Sequence, residues 1–237
     1  MKYLGGKHRF QKPITEVINH YMEDGQRYFE PFVGGGWITQ NMQNRQVFAS
    51  DHDIDLILLY QEAQRGLNFI PDEVSEDLYN ELKYKNIYCN HHSPLVGFAK
   101  FACSFGGKAW GGYSRYKNRV ASASAEGKRS IAKQIAKMRH VNFSCKDYRE
   151  LSTISDSFIY CDPPYYGCSP AYCRGFDNFE FWDWVRDMSR RNTVLVSEYT
   201  APDDFECILQ IPTHLNIHPE RRQGRERVEK VFKYRRN

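Results

Sequence analysis

The 237-residue sequence has no Cys-x-x-Cys pair, no repeat and no low-complexity segment. Its seven cysteines are odd in number and scattered, which excludes a disulfide framework and leaves reduced thiols in a cytoplasmic protein as the expectation. No apolar run reaches the length of a membrane span. The opening "MKYLGGKHRF" has no apolar signal region, so no secretory targeting is expected. Cys89, His91 and His92 make the one Cys/His cluster, and without a second ligand pair at finger spacing no metal is expected. Phosphate-loop chemistry is missing too. Neither "GGKH" nor "GGKA" carries the Ser/Thr that follows the lysine of a phosphate-binding loop, and Gly34-Gly35-Gly36 lacks a spaced third glycine.

Charge is present, and it is unevenly spread. The net value is +4. Phe105 to His140 holds nine Lys/Arg and one acid, while Ser50 to Leu82 holds nine acids and one base. A third stretch, from Pro219 to the end, carries eight Lys/Arg against three Glu. Such runs are commonly solvated faces. In "GGKAWGGYSRYKNR", however, aromatics stand among the bases, a pattern that suits a nucleic acid.

The order of elements points to an α/β fold. Ile14, Val17, Ile18, Tyr21 and Met22 recur at helical spacing after Pro13. "RYFEPF" reads as a strand entering "VGGG", a helix is expected from Trp37 to about Asn44, and "QVFAS" reads as a second strand ending in Asp51. The helix "DIDLILLYQEAQR" closes at Gly66. This alternation argues for a mostly parallel sheet covered by helices. Residues 67–130 break the pattern with helices and a basic glycine/aromatic hairpin at 106–119. They are expected to be an insertion between 1–66 and 131–237. Alternation resumes with "VNFS", "SFIYC", the helix "FEFWDWVRDMSRR" and "TVLVSE", and "CILQI" and "VEKVFKY" read as antiparallel edge strands. Trp182 and Trp184 are expected in the core.

Two motifs carry chemistry. "EPFVGGG" lies between a strand and a helix, where glycine lets a ligand approach the backbone. Asp51, at the end of the next strand, can accept hydrogen bonds from ribose hydroxyls. A nucleoside-bearing cofactor without phosphates fits, and S-adenosylmethionine is the obvious one. The second motif is "CDPPYY". Two prolines without amide hydrogens stiffen an extended exit from a buried strand. An exocyclic amino nitrogen is a poor nucleophile because its lone pair is delocalised into the ring. Asp162 and the Pro163 carbonyl can accept its two N–H bonds and localise that pair, while Tyr165 stacks on the base. The amino group is hidden in a duplex, so the base has to be flipped out. A given Asp-Pro-Pro-Tyr arises by chance in about one chain per thousand of this length. At a strand end in an α/β pattern it therefore outweighs a surface turn.

In order and spacing, "KYLGGK" at 2–7, "FEPFVGGG" at 29–36, "SDHDIDLILLY" at 50–60, "FSCKDY" at 143–148 and "YCDPPY" at 160–165 resemble the Dam-type DNA adenine-N6 methyltransferases. The resemblance implies a Rossmann-like methyltransferase fold, S-adenosylmethionine as donor with S-adenosylhomocysteine as product, and double-stranded DNA as partner. It makes the insertion the target-recognition region. It implies a cofactor site of Tyr3, Lys7, Phe32, Gly34, Asp51, Asp147 and Asp162, and catalytic roles for Asp162, Pro163 and Tyr165. Tyr3 stands where the family usually has Trp, and Tyr148 where many relatives have Phe. The recognition hairpin matches in character only, with Lys108, Trp110, Arg115, Lys117 and Arg119 as candidate DNA contacts. Arg221, Arg222, Arg225 and Arg227 are candidates for phosphate contact or for a solvated tail. Cytosine-N4 methylation uses the same amino chemistry and stays open, as does an inactive DNA-binding regulator on the same fold.

Overall fold

Short polar residues stand before most of the helices, each accepting backbone N–H bonds that a first helical turn leaves unpaired. The structure, a computed structural model, describes residues 1–115, 122–167, 175–212 and 228–235. Its helices are α1 (Gln11–Tyr21), α2 (Ile54–Arg65), α3 (Glu76–Cys89), α4 (Pro94–Ala102), α5 (Ala123–Lys137) and α6 (Asn178–Met188). Its strands are β1 (Arg27–Glu30), β2 (Val47–Asp51), β3 (Asn142–Cys145), β4 (Ser157–Cys161), β5 (Thr193–Glu198), β6 (Phe205–Pro212) and β7 (Val228–Tyr234). They form one sheet in the order β3-β2-β1-β4-β5-β7-β6. β7 runs antiparallel to both of its neighbours, while β2–β3, β1–β4 and β4–β5 pair in parallel. This is the mostly parallel, helix-covered sheet that the helix–strand alternation leads one to expect, in the Rossmann-like α/β class that the resemblance implies.

The chain divides into two compact units. The first comprises Met1–His8 and Val33–Asp147. Asp53 caps α2, Ser75 caps α3, Ser93 caps α4 and Ser122 caps α5, each through its side-chain oxygen. The apolar stripe of α2 buries Leu56, Leu59 and Tyr60, α4 buries Val96 and Phe98, and α5 buries Ile131 and Ile135. α2 and α4 approach so closely that a Cβ on Gly97 would lie 2.0 Å from the Asp55 carbonyl oxygen. Behind this contact Asp55, almost fully buried, is paired on every side. His92 Nδ1 lies 2.9 Å from its Oδ1, and Lys100 Nζ (3.1 Å) and Asn86 Nδ2 (2.9 Å) meet its Oδ2. His92, one member of the Cys/His cluster, is thus engaged with a carboxylate.

The second unit comprises Arg9–Phe32 and Tyr148–Asn237. All five residues of β4 are buried, as expected of a central parallel strand. α6 is capped by Asp177 and turns Phe181, Trp182, Trp184 and Val185 inward, so both tryptophans are core residues.

Two expected elements differ. The helix expected from Trp37 to Asn44 is only a 3₁₀ turn, Thr39–Asn41. Asn41 Nδ2 (2.9 Å) and Gln40 Nε2 (3.4 Å) both donate to the Trp37 carbonyl, the acceptor that a continuing helix would give to a backbone amide. "VEKVFKY" is an interior strand and not an edge: β7 lies between β5 and β6, so of the two expected edge strands β6 alone stands at a border of the sheet.

Candidate active site

The glycine loop of the first unit is fixed by the strand that follows it. Val33 N–H donates to the Ser50 carbonyl at 2.9 Å, and Gly34 N–H donates to Asp51 Oδ2 at 3.0 Å. Tyr60 Oη donates to the Gly34 carbonyl at 2.8 Å, and Gln134 Nε2 to the Gly35 carbonyl at 2.9 Å. Gly34 has φ of 44°, a left-handed conformation that favours glycine, and a Cβ there would come within 3.0 Å of the Tyr3 ring. The Tyr3 ring in turn rests on Phe101, with centroids 5.1 Å apart.

Asp51 ends β2, and only 6% of its surface is exposed. Burial raises its pKa, opposed by nearby His52 and by the N–H bonds from Asp53 and Gly34. Lys146 N–H donates to the Asp51 carbonyl at 3.1 Å, which brings the half-buried Asp147 next along the chain to the same strand end. Tyr3, Gly34, Asp51 and Asp147 therefore gather within the first unit. Lys7 is buried, with Nζ 3.4 Å from the Gly5 carbonyl.

In the second unit Phe32 packs with Tyr148, Phe176 and Phe181 at centroid distances of 5.5, 5.9 and 5.8 Å. Phe176, which follows the Pro-Pro motif in sequence, is thus a packing residue of this aromatic cluster. The candidates Lys117, Arg119, Arg221, Arg222, Arg225 and Arg227 lie outside the described residues.

The Asp-Pro-Pro-Tyr segment leaves β4 directly, with Pro163 buried and Asp162 and Tyr165 half-buried. Tyr165 Oη donates to Glu229 Oε1 on β7 at 2.5 Å, and its ring meets Tyr199 edge-on at 4.6 Å. Burial, with the charges of Asp162 and Glu229, holds the Tyr165 phenol well above its ordinary pKa. Glu198 ends β5 and is almost fully buried. It accepts the Tyr166 amide on Oε1 at 2.5 Å and the Tyr199 amide on Oε2 at 2.6 Å. Burial pushes its pKa up to about 7; the two amides oppose this, and the charges of Asp162 and Glu229 add to it. Tyr166 thus contributes through its backbone, while its side chain is exposed.

Glu198, Tyr199 and Glu229 are absent from the residues that the sequence motifs pick out. A signal for Glu198 exists: like Asp51, it is an acid ending an apolar strand. For Glu229 the signal is the period-two pattern, which puts it on one face of its strand with Val231.

Within residues 67–130, a 3₁₀ turn at Phe105–Gly107 and an isolated bridge between Ser104 and Tyr113 shape the described part of the expected hairpin. Lys108 is exposed. Arg115 is exposed and paired with Glu76, its Nε 2.8 Å from Oε2. Trp110 is held at three points: its amide donates to the Lys100 carbonyl (3.2 Å), its indole to Asn86 Oδ1 (3.0 Å), and its carbonyl accepts Lys83 Nζ (3.4 Å). It anchors the loop.

The five described cysteines are free thiols. Burial pushes Cys103 up to about 12 and raises Cys161 well above its ordinary value, which makes both poor nucleophiles. No described helix is long and apolar enough to cross a membrane.

A family model for the D12 class N6 adenine-specific DNA methyltransferases matches residues 3–102 and 101–183. The type II methyltransferase M.MjaIII of Methanocaldococcus jannaschii is 26% identical over 200 residues, covering 70% of this chain and 68% of that protein. The DNA N-6-adenine-methyltransferase of Escherichia phage P1 is 25% identical over 225 residues, covering 83% of this chain but 28% of that protein. The DNA adenine methylase of Salmonella typhi is 25% identical over 185 residues, with 70% and 64% covered. The chain thus spans between 28% and 68% of the length of these relatives. Among solved structures, TrmN from Thermus thermophilus aligns over 93% of this chain and 48% of that one, at 12% identity and a TM-score of 0.39.

Proposed function

The chain belongs to the D12 class N6 adenine-specific DNA methyltransferase family, and we propose that it methylates N6 of an adenine flipped out of double-stranded DNA, with S-adenosylmethionine as donor. The observation that carries this reading is the Asp-Pro-Pro-Tyr segment emerging from the end of a fully buried parallel strand, with its tyrosine fixed at both hydroxyl and ring.

The residues of the first unit suit the cofactor. Gly34 leaves the backbone bare beside the Tyr3 ring, where a Cβ would come within 3.0 Å of the ring. A carboxylate oxygen has two lone pairs, and the Gly34 amide uses one on Asp51 Oδ2, which leaves one for a ribose hydroxyl. Tyr3, Lys7, Phe32, Gly34, Asp51, Asp147 and Asp162 are the residues that would hold the donor. When bound, S-adenosylmethionine supplies a methyl group on a sulfonium, an electrophile that needs no metal and no covalent enzyme intermediate.

The protein's work is positioning and electrostatics. Asp162 and the Pro163 carbonyl accept the two amino N–H bonds of the base and localise the nitrogen lone pair. Pro163 and Pro164 keep these acceptors extended, and Tyr165 stacks on the base. Once alkylated, the nitrogen sheds a proton, and the Asp162 carboxylate is placed to take it.

The test is incubation of the protein with methyl-labelled S-adenosylmethionine and unmethylated duplex DNA, followed by digestion to nucleosides. N6-methyldeoxyadenosine is the expected product. Label in N4-methyldeoxycytidine alone, or no transfer at all, would overturn the proposal.

A further inference from the structure

Two buried carboxylates beside the Asp-Pro-Pro-Tyr segment have no part in the mechanism above. Glu229 comes from β7 and Glu198 from β5, and only 3% and 2% of their surfaces are exposed. Burying a carboxylate is costly unless hydrogen bonds offset it. Each acid accepts a hydrogen bond from the same short stretch. Glu229 takes the hydroxyl of Tyr165, and Glu198 takes the amide of the next residue, Tyr166, together with that of Tyr199. Tyr199 closes the set by meeting the Tyr165 ring edge-on, at an interplanar angle of 88°.

A ring that stacks on a base must hold one plane, and a tyrosine ring can turn about two side-chain torsions. The Glu229 bond fixes the far end of the ring, and Tyr199 blocks one edge. The backbone just beyond is fixed by Glu198. We propose that Glu229 is a positioning residue for methyl transfer, setting the plane of Tyr165 by accepting its hydroxyl, with Glu198 holding the adjoining backbone. The inference rests on the reading of Asp162 and Tyr165 as the methyl-transfer motif.

The work of Glu229 is done by an acceptor atom, not by its negative charge. Glu229→Gln retains a polar group that can bond the phenol, whereas Glu229→Ala does not. Tyr165→Phe keeps the stacking ring and removes only the hydroxyl, so it should lose what Glu229→Ala loses.

The experiment measures kcat and DNA KM for methyl transfer to unmethylated duplex DNA. The proteins are the wild type, Glu229→Ala, Glu229→Gln, Tyr165→Phe and the Glu229→Ala/Tyr165→Phe double variant, each at saturating S-adenosylmethionine. Losing this hydrogen bond predicts that kcat falls roughly fivefold to tenfold in Glu229→Ala and in Tyr165→Phe. The double variant should fall no further, and Glu229→Gln should stay within about threefold of wild type, since its amide can still bond the phenol. DNA KM is expected to change little, and kcat is expressed per S-adenosylmethionine-binding site, because a general loss of folded protein also lowers apparent kcat without moving KM. If Glu229→Ala is insoluble, Tyr165→Phe and Glu229→Gln carry the same contrast. Full activity in Tyr165→Phe, additive losses in the double variant, or a Glu229→Gln loss equal to that of Tyr165→Phe would each overturn the inference. The last of these would assign Glu229 an electrostatic role instead. A wild type that transfers no methyl group brings down the functional reading and this inference together, whereas an active wild type with unaffected variants brings down the inference alone.

Discussion

Asp162 stands one residue beyond a strand with no exposed residue, and it is itself half-buried. A carboxylate in that setting can accept hydrogen bonds without the full cost of deep burial. Replacing it with alanine removes one of the two acceptors proposed to localise the amino lone pair. Asp162→Ala is therefore expected to lower methyl transfer by at least two orders of magnitude, comparable to losing one preorganised polar contact in other active sites. DNA binding, measured by gel shift, should be nearly unchanged, because Asp162 is not among the basic groups that meet phosphate. Full activity in this variant would refute the assigned chemistry. Asp162 and Tyr165 are legible in the sequence because the motif is local: four consecutive residues carry acceptor, frame and ring. Their supports are not legible, because contact is made across the fold. Glu198 is 32 residues from Tyr166, and Glu229 is 64 from Tyr165. Only the sheet order brings these strands to the motif.

At the scale of elements, helix starts are the most readable features, since Asp53 and Ser93 cap by chemistry that acts within a few residues. The departures have equally physical causes. Side-chain amides take the carbonyl that would have continued a helix after Trp37. No local signal tells that the last strand inserts between two earlier ones. β5 carries a consequence for stability through Glu198 at its end. The folded protein holds this carboxyl at about 7, against an ordinary value of 4.5. Between those two values the folded state binds more protons than the unfolded chain, so this group's contribution makes stability fall as pH rises from 4.5 to 7. The whole effect is roughly 3 kcal/mol by the usual conversion. Glu198→Gln cannot titrate. In denaturant unfolding at pH 5 and pH 8, the wild type should lose more stability between the two than the variant does. Equal losses would mean that the acid is ionised in the fold at little cost.

For the whole molecule, charge distribution says more than net charge. The total is only +4, from 33 Lys/Arg and 29 Asp/Glu, yet nine bases and one acid lie between Phe105 and His140. The structure gives part of this stretch a defined base. Trp110 is tied to α3 and α4 by three hydrogen bonds, and the Gly107 carbonyl accepts the Leu4 amide at 3.1 Å. A loop fixed in this way can hold exposed cations against a partner without first being ordered, which saves entropy on binding. Lys108 is exposed, and Arg115 is engaged with Glu76 in an exposed ion pair of the kind that contributes little to stability. DNA phosphates can therefore compete for that arginine. Each phosphate neutralised contributes about −0.9 to the slope of log K against log salt on duplex DNA. Converting Lys108, Arg115 and Lys117 together to alanine is thus expected to flatten that slope by up to about 2.7 and to weaken binding most at low salt. Thermal stabilisation by S-adenosylmethionine should persist in the triple variant, since none of the three belongs to the proposed donor site. That control separates a lost DNA contact from a lost fold. An unchanged salt slope would move the phosphate contacts away from this loop, with the arginines at 221, 222, 225 and 227 the next basic cluster to substitute.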